Sequence, residues 1–251
     1  MGYVFDFKDA MAYEKWYSGS PNRMAVELED RLLLNMLKPV HGRKLLDVGC
    51  GTGARWCSLF KKGVDITGLD PSPYMLDIAR KKLKNRVDFY RGFGEDLPFE
   101  DNSFHYVSLI TCLEYVTDTE KVLKEACRVA KDTIFIGIYN RYAVKCLQRR
   151  VKGMFAETVY NRAKFYTVWK IKQTIRKILG DVSVTWKTVD PFPSFMGKYA
   201  CRINGSPLMQ IFPFGAFAGI VVKPVPRFMT TPLTLRYKPG RAGVPSIEPL
   251  K

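Results

Sequence analysis

Leu45-Leu46-Asp47-Val48-Gly49-Cys50-Gly51-Thr52-Gly53 decides how this chain is read. Leu45, Leu46 and Val48 are the apolar run of a buried strand, and three glycines at alternate positions follow it. Glycine reaches positive φ without a Cβ clash, so the backbone turns sharply here and leaves bare main chain for a ligand to lie against. The N–H groups that open the next helix carry partial positive charge and suit a carboxylate or phosphate. A second apolar run, Val64 to Leu69, ends in Asp70. That puts a carboxylate beside the turn, placed to accept hydrogen bonds from two ribose hydroxyls.

The glycine turn alone fits two kinds of site. Gly49, Gly51 and Ala54 satisfy the G-x-G-x-x-G/A fingerprint of nicotinamide and flavin enzymes, with Asp70 about 20 residues on. Asp47 separates the readings: two residues before the first glycine, its carboxylate repels a pyrophosphate and attracts an ammonium group. Downstream, Gly94-Glu95-Asp96-Leu97-Pro98-Phe99 reads as a turn between a third strand and a fourth. Asp-x-Gly-x-Gly-x-Gly, Asp70-Pro71-Ser72 and Glu-Asp-Leu-Pro-Phe together resemble the class I S-adenosylmethionine methyltransferases, specifically the methyltransferase type 11 group. The resemblance runs over residues 10–140.

The resemblance implies a fold, a cofactor and roles. The fold is a Rossmann-like seven-stranded α/β sheet, mostly parallel with an antiparallel edge strand and helices on both faces. The cofactor is S-adenosyl-L-methionine. Gly49, Gly51 and Gly53 would touch its methionine portion, with Asp47 near the ammonium; Asp70 and Pro71 would hold the ribose. Phe93, Glu95, Asp96 and Leu97 would surround the adenine. Phe93 departs from the family, which commonly has an aspartate there; a phenyl ring accepts no hydrogen bond from the adenine amino group but stacks on a purine. Thr111 would back the sulfonium. Tyr13 and Tyr17, with Trp16, would bring electron-rich rings to it from an N-terminal helix. On the acceptor side stand Glu114, Tyr115, Tyr139, Asn140 and Tyr199, with no catalytic residue singled out. Core or helix packing accounts for Phe93, Glu114, Tyr115 and the Tyr13 cluster equally well. His105, opening the fourth strand, reads as structural, and no metal cluster is expected.

The 251 residues carry 47% hydrophobic residues and a mean hydropathy of −0.13, as a globular chain does. Six cysteines are scattered without C-x-x-C spacing, which fits reduced thiols in the cytoplasm better than a disulfide framework or zinc site. No run reaches the ~18 apolar residues that read as a membrane span. The net charge is +16, and it is unevenly placed: residues 141–251 hold 20 of the 40 basic residues but only 4 of the 24 acidic ones. Such an excess attracts anionic partners, whether nucleic acid, an acidic membrane surface or a phosphorylated small molecule.

Periodicity predicts helices at 8–18, 22–38, 54–60, 72–84 and 119–129 alternating with strands at 44–48, 65–69, 87–90, 106–110 and 133–138. Beyond Ile138 the alternation stops. Basic amphipathic helices are expected at 141–153 and 164–179, the second capped by Thr167, and strands at 182–188 and 214–222. One domain is expected over 1–223, with a cofactor half (1–140), acceptor-side insertions (141–213) and a Pro-rich tail (224–251). The expected function is methyl transfer to a small aromatic or hydrophobic acceptor, with the basic half also admitting an anionic one. The alternatives are a methyltransferase acting on RNA or another polyanion, and a non-catalytic cofactor binder.

Overall fold

In the computed structural model, which describes residues 2–19, 22–143, 146, 162–190 and 212–224, β1 (Lys44–Val48) is buried from Leu45 to Val48 inside a seven-stranded sheet. The other strands are β2 (Asp65–Asp70), β3 (Asp88–Arg91), β4 (Phe104–Ile110), β5 (Ala130–Tyr139), β6 (Val184–Val189) and β7 (Phe217–Val222). Their order is β3-β2-β1-β4-β5-β7-β6. β7 runs antiparallel to both its neighbours, and the pairs among the first five strands are parallel. The sheet therefore matches the Rossmann-like fold class, with one refinement. The antiparallel strand lies second from the edge and β6 is outermost. The sequences explain it: Phe217–Val222 is apolar and buried throughout, whereas Val184–Val189 is interrupted by polar residues and exposes Thr185.

The helices are α1 (Phe7–Ser18), α2 (Arg23–Leu37), α3 (Cys57–Phe60), α4 (Pro73–Leu83), α5 (Thr119–Val129) and α6 (Val168–Leu179). On one face α5 and α6 lay Val122, Leu123, Ala126, Ile171 and Ile175 on the sheet. On the other, Leu32, Leu33 and Leu37 of α2 pack with Trp56 against Leu45, Ile66 and Phe135. With both faces covered, the central strands tolerate few polar residues.

Three helix starts carry features that periodicity alone does not show. α1 opens on a capping box, with Asp6 accepting from Asp9 N and Asp9 accepting from Asp6 N, a signal the periodicity missed. Of the two cap candidates for α2, Ser20 lies outside the described residues and Asn22 makes no side-chain cap bond; its Nδ2 donates to Trp16 O instead and ties the two helices together. The helix expected over 54–60 opens as a 3₁₀ turn, Ala54–Trp56, leaving only Cys57–Phe60 as α-helix, too short to present a full macrodipole to a ligand. Thr167 caps α6 as read, accepting from Lys170 N at 3.2 Å. The helix expected at 141–153 lies, past Ala143, outside the described residues except Cys146; residues 141–143 form a turn. The segment 191–211 and the tail from 225 also lie outside them.

The chain leaves β1 toward β2 and β3, then crosses back to β4 on β1's other side. That reversal opens a crevice at the carboxyl ends of β1 and β4, where ligands bind in sheets of this type.

Candidate active site

A cavity of about 600 Å³ occupies that crevice. Strand ends supply its floor: Asp47 and Val48 of β1, Leu69 and Asp70 of β2, Ile110 of β4 and Tyr139 of β5. Gly49 and Gly51 form one wall; Phe93, Gly94 and Glu95 form another. Thr111 and Cys112 lie between them, and Tyr13 and Trp16 of α1 close over the top.

Asp70 is buried and doubly engaged. Its Oδ2 accepts from Gly51 N at 2.9 Å and its Oδ1 from Ser72 N at 2.8 Å. The carboxylate thus joins the glycine turn to the start of α4, which Ser72 caps through Met75 N. Burial pushes its pKa up to about 6 despite these two bonds. A carboxylate has about four lone-pair sites, so each oxygen keeps one for a ligand hydroxyl. Asp47, also buried, accepts from Ser108 Oγ at 2.6 Å and Trp56 Nε1 at 2.7 Å, and burial raises its pKa too. It faces the cavity from behind the glycine turn.

The three glycines do different work. At Gly51 (φ +55°) an added Cβ would meet nothing nearer than Met75 Sδ at 3.9 Å, so the space in front of it is open. At Gly49 (φ +72°) a Cβ would lie 2.4 Å from Cys112 Cβ. At Gly53 (φ +63°) it would strike Leu83 and Trp56, and Gly53 does not line the cavity. Gly51→Ala is therefore expected to cost about 1–2 kcal/mol, the left-handed conformation alone, yet to block ligand binding. Gly49→Ala should cost about 3 kcal/mol because overpacking adds to the same strain. Denaturant unfolding with calorimetric titration separates the two. Equal stability losses would contradict this division.

The segment before α1 straps the cavity from outside. Tyr3 N donates to Tyr115 O at 2.8 Å, and Ser72 Oγ donates to Phe5 O at 2.6 Å. The Phe5 and Tyr115 rings meet edge to face at 4.9 Å, and Arg162 covers the Tyr3 ring at 4.7 Å. Composition alone did not point to Tyr3, Phe5 or Arg162; the Asp6–Asp9 box that sets the direction of α1 was the available signal.

Arg55 is the other residue the sequence reading missed. Buried at the cavity wall, its guanidinium donates to Glu29 Oε2 of α2 at 2.5 Å and lies 3.7 Å from Asp30 Oδ1. It also lies over the Phe217 ring at 5.9 Å. Burial lifts Asp30 to about 6 against the pull of Arg55. With Glu29, Asp30 and Asp47 around one cation, this end of the cavity is net acidic.

Other candidates brace the site from outside it. Glu114 is fully buried, and its Oε1 accepts from Tyr139 N at 2.8 Å. Asn140 Nδ2 donates to Pro213 O at 2.7 Å and Gly215 O at 3.0 Å, while Oδ1 accepts from Tyr142 N at 3.2 Å. Neither lines the cavity, so their polar groups join strand ends and loops. Leu97 is buried in the core, with its N–H on Glu125, and Asp96 is exposed; both lie off the cavity, as does Tyr17. Glu95 does line it, and its Oε1 accepts from Thr117 N at 2.9 Å, holding the turn after β4. Thr111 sits at φ +51°, which is rare for a β-branched residue, with its N–H on Gly137 O at 2.8 Å. Tyr199 lies outside the described residues. His105 is at the opposite edge of the sheet, where Nδ1 accepts from Lys44 N at 3.1 Å.

The sheet order and the cavity at its crossover define a class I methyltransferase fold. Residues 46–135, about a third of the chain, match the family model of a methyltransferase domain. Demethylmenaquinone methyltransferase of Tropheryma whipplei is 39% identical over 102 residues, covering 40% of this chain and 43% of the relative. Its counterpart in Chlorobaculum parvum is 46% identical over 89 residues, 35% and 36% of the two chains. A sterol 24-C-methyltransferase of Aspergillus fumigatus is 28% identical over 144 residues, 55% of this chain and 38% of the relative. The chain thus spans less than half the length of these curated relatives. Among solved structures, a methyltransferase from Thermotoga maritima superposes with a TM-score of 0.66 at 23% identity, over 86% of this chain and 96% of its own.

The cavity fits S-adenosylmethionine on the chain's own residues. Open space lies before Gly51 Cα, and a carboxylate with free lone pairs stands at the tip of β2. The acidic end suits a sulfonium and an ammonium. Because ribose hydroxyls bond better to ionised Asp70, binding should release a proton wherever the free protein holds one. Affinity for S-adenosylhomocysteine is therefore expected to fall below pH about 6, approaching tenfold per pH unit. Calorimetry across that range checks it; constant affinity would sink it. The sign for folding is opposite. In the free protein the raised pKa of Asp70 contributes stability below the unfolded value near ~4, lost as pH rises through about 6.

Proposed function

We propose that this protein transfers a methyl group from S-adenosylmethionine to a small lipophilic acceptor bearing a planar ring. The observation that carries the reading is a single cavity with carboxylates at two strand tips and aromatic rings over the remainder, Tyr3, Phe5, Phe93, Tyr115 and Tyr139 among them. When bound, the cofactor supplies a methyl group on a positively charged sulfonium. Asp70 holds the ribose, the turn at Gly51 lets the methionine portion approach the main chain, and Phe93 stacks on the adenine. Asp47 and the Glu29–Asp30–Arg55 group set a negative potential around the cationic centre. Tyr3, Phe5 and Tyr115 exclude water and present ring faces and edges to a planar acceptor. Catalysis is alignment in a dry site. The names of the curated relatives, a quinone and a sterol methyltransferase, support the lipophilic class. The reading takes residues 1–223 as one domain, with a cytoplasmic location.

The test is incubation with methyl-labelled cofactor and fractionated extract. Label is expected in the organic-soluble fraction. Label confined to RNA or protein would overturn the acceptor class; cofactor binding with no label in any fraction would overturn the activity.

A further inference from the structure

Large apolar side chains are exposed at nine described positions, and seven of them fringe the carboxyl edge of the sheet, the edge that carries the cavity. On the β5–β7 side stand Tyr142 (58% exposed), Phe212 and Phe214 (44% each) and, in the first turn of α6, Trp169 (55%). These are not scattered. Asn140 holds Pro213 and Tyr142 to the end of β5, the Phe212 and Phe214 rings lie 5.1 Å apart, and Thr188 Oγ1 of β6 donates to Phe212 O at 2.5 Å. Two residues along β6, on the same face, Trp186 meets Trp169 at 5.8 Å. A clustered apolar fringe of this kind marks an interaction surface, where single exposed residues do not.

The same side is basic. Trp169 shares a shallow groove with Lys170, Lys172 and Arg176. No carboxylate stands within ion-pair distance of these three among the described residues, while Lys177 on the neighbouring flank of α6 pairs with Glu120. The apolar stripe of α6, Val168, Ile171 and Ile175, is spent on the core. The helix therefore presents cations and one indole outward rather than a face that plunges into a bilayer.

We infer that this rim docks on an anionic lipid surface, with the cations over the headgroups and the Trp169, Phe212, Phe214 and Tyr142 rings at the interface. Aromatic rings beside Lys and Arg are the side chains that favour the headgroup region. The charge excess matches the negative potential of such a membrane. Single-stranded nucleic acid fits less well, since it is held by rings on which successive bases stack, whereas here Trp186 is half-buried under Trp169. Position adds to the case. α6 begins right after Tyr166, which bridges Asn140 at the end of β5, so the rim adjoins the cavity mouth. Docking there lets a lipophilic acceptor pass from the bilayer into the site. That last step rests on the proposed function; the docking does not.

The test is co-sedimentation of the full chain with phosphatidylcholine vesicles and with the same vesicles containing phosphatidylglycerol, with no methyl donor present. Binding is expected only to the anionic vesicles and should weaken with salt. Each cation near the surface is worth about fivefold, so the triple variant Lys170→Glu, Lys172→Glu, Arg176→Glu should lose at least about 100-fold. The milder triple Gln variant serves if reversal impairs folding, as judged by thermal unfolding. Phe212→Ser with Phe214→Ser should also weaken binding, and Lys61→Glu with Lys62→Glu, in the cofactor half, should not. No binding, equal binding to both vesicles, an equal loss in the Lys61/Lys62 variant, or tighter capture of single-stranded RNA through the same rim would each overturn the inference. Because methyl transfer is not measured, its failure and that of the proposed activity remain distinguishable.

Discussion

Asp70→Ala is expected to weaken binding of S-adenosylhomocysteine by at least about 100-fold while leaving the fold in place. Hydrogen bonds to a charged acceptor contribute about 1.5–3 kcal/mol each, and the ribose offers two hydroxyls. The fold survives because Ser72 still caps α4 through Met75 N, and Gly51, whose N–H loses its acceptor, lines the cavity. Asp70→Asn should not rescue binding. One amide NH₂ would then face the N–H of Gly51 or Ser72, donor against donor. Calorimetry measures the affinity, and thermal unfolding reports whether the fold persists. A ligand analogue lacking both ribose hydroxyls provides the control: it should bind wild type and Asp70→Ala alike. Wild-type affinity in a folded Asp70→Ala protein would remove the ribose assignment.

Arg55→Met should destabilise the protein by about 3–5 kcal/mol, because it leaves Glu29 as an uncompensated buried charge. Glu29 is 5% exposed and Arg55 8%, so water reaches neither group to soften the loss. Asp30, already lifted to about 6 by burial, loses the cation that holds it down. The variant should regain stability as the pH falls below neutrality and Asp30, without its cation, takes up a proton. Adding Glu29→Gln should recover much of the loss at neutral pH. Denaturant unfolding of the two single variants and the double variant forms the cycle. A loss under about 1 kcal/mol for Arg55→Met would mean that water or another group compensates Glu29.

Much of the fold was open to reading because its signals are local. Leu45 to Gly53 could be little other than a buried strand entering a glycine turn, and all three glycines do adopt positive φ. The apolar spacing of Val168, Ile171 and Ile175, with Thr167 read as cap and Gly180 as stop, placed α6 with its end at Leu179, although the expected helix began at 164, four residues before the observed start. Reading failed where a side chain's partner is distant in sequence. Glu114 and Asn140 stand at strand ends by position, and position alone puts them at an acceptor mouth; their bonds to Tyr139, Pro213 and Gly215 turn them away from it. Gly53 belongs to the same turn as Gly51 but faces Leu83 and Trp56.

By itself, then, the sequence determined the order of strands and helices, the glycine turn, and the two carboxylates at the tips of β1 and β2, because backbone propensity and apolar period act over a few residues. Only the tertiary structure decided that Arg55 is held by Glu29, that a strap through Tyr3 and Phe5 covers the cavity, and that exposed rings gather along one edge. Burial and pairing of polar groups depend on which distant segments the sheet brings together, and no local pattern encodes that.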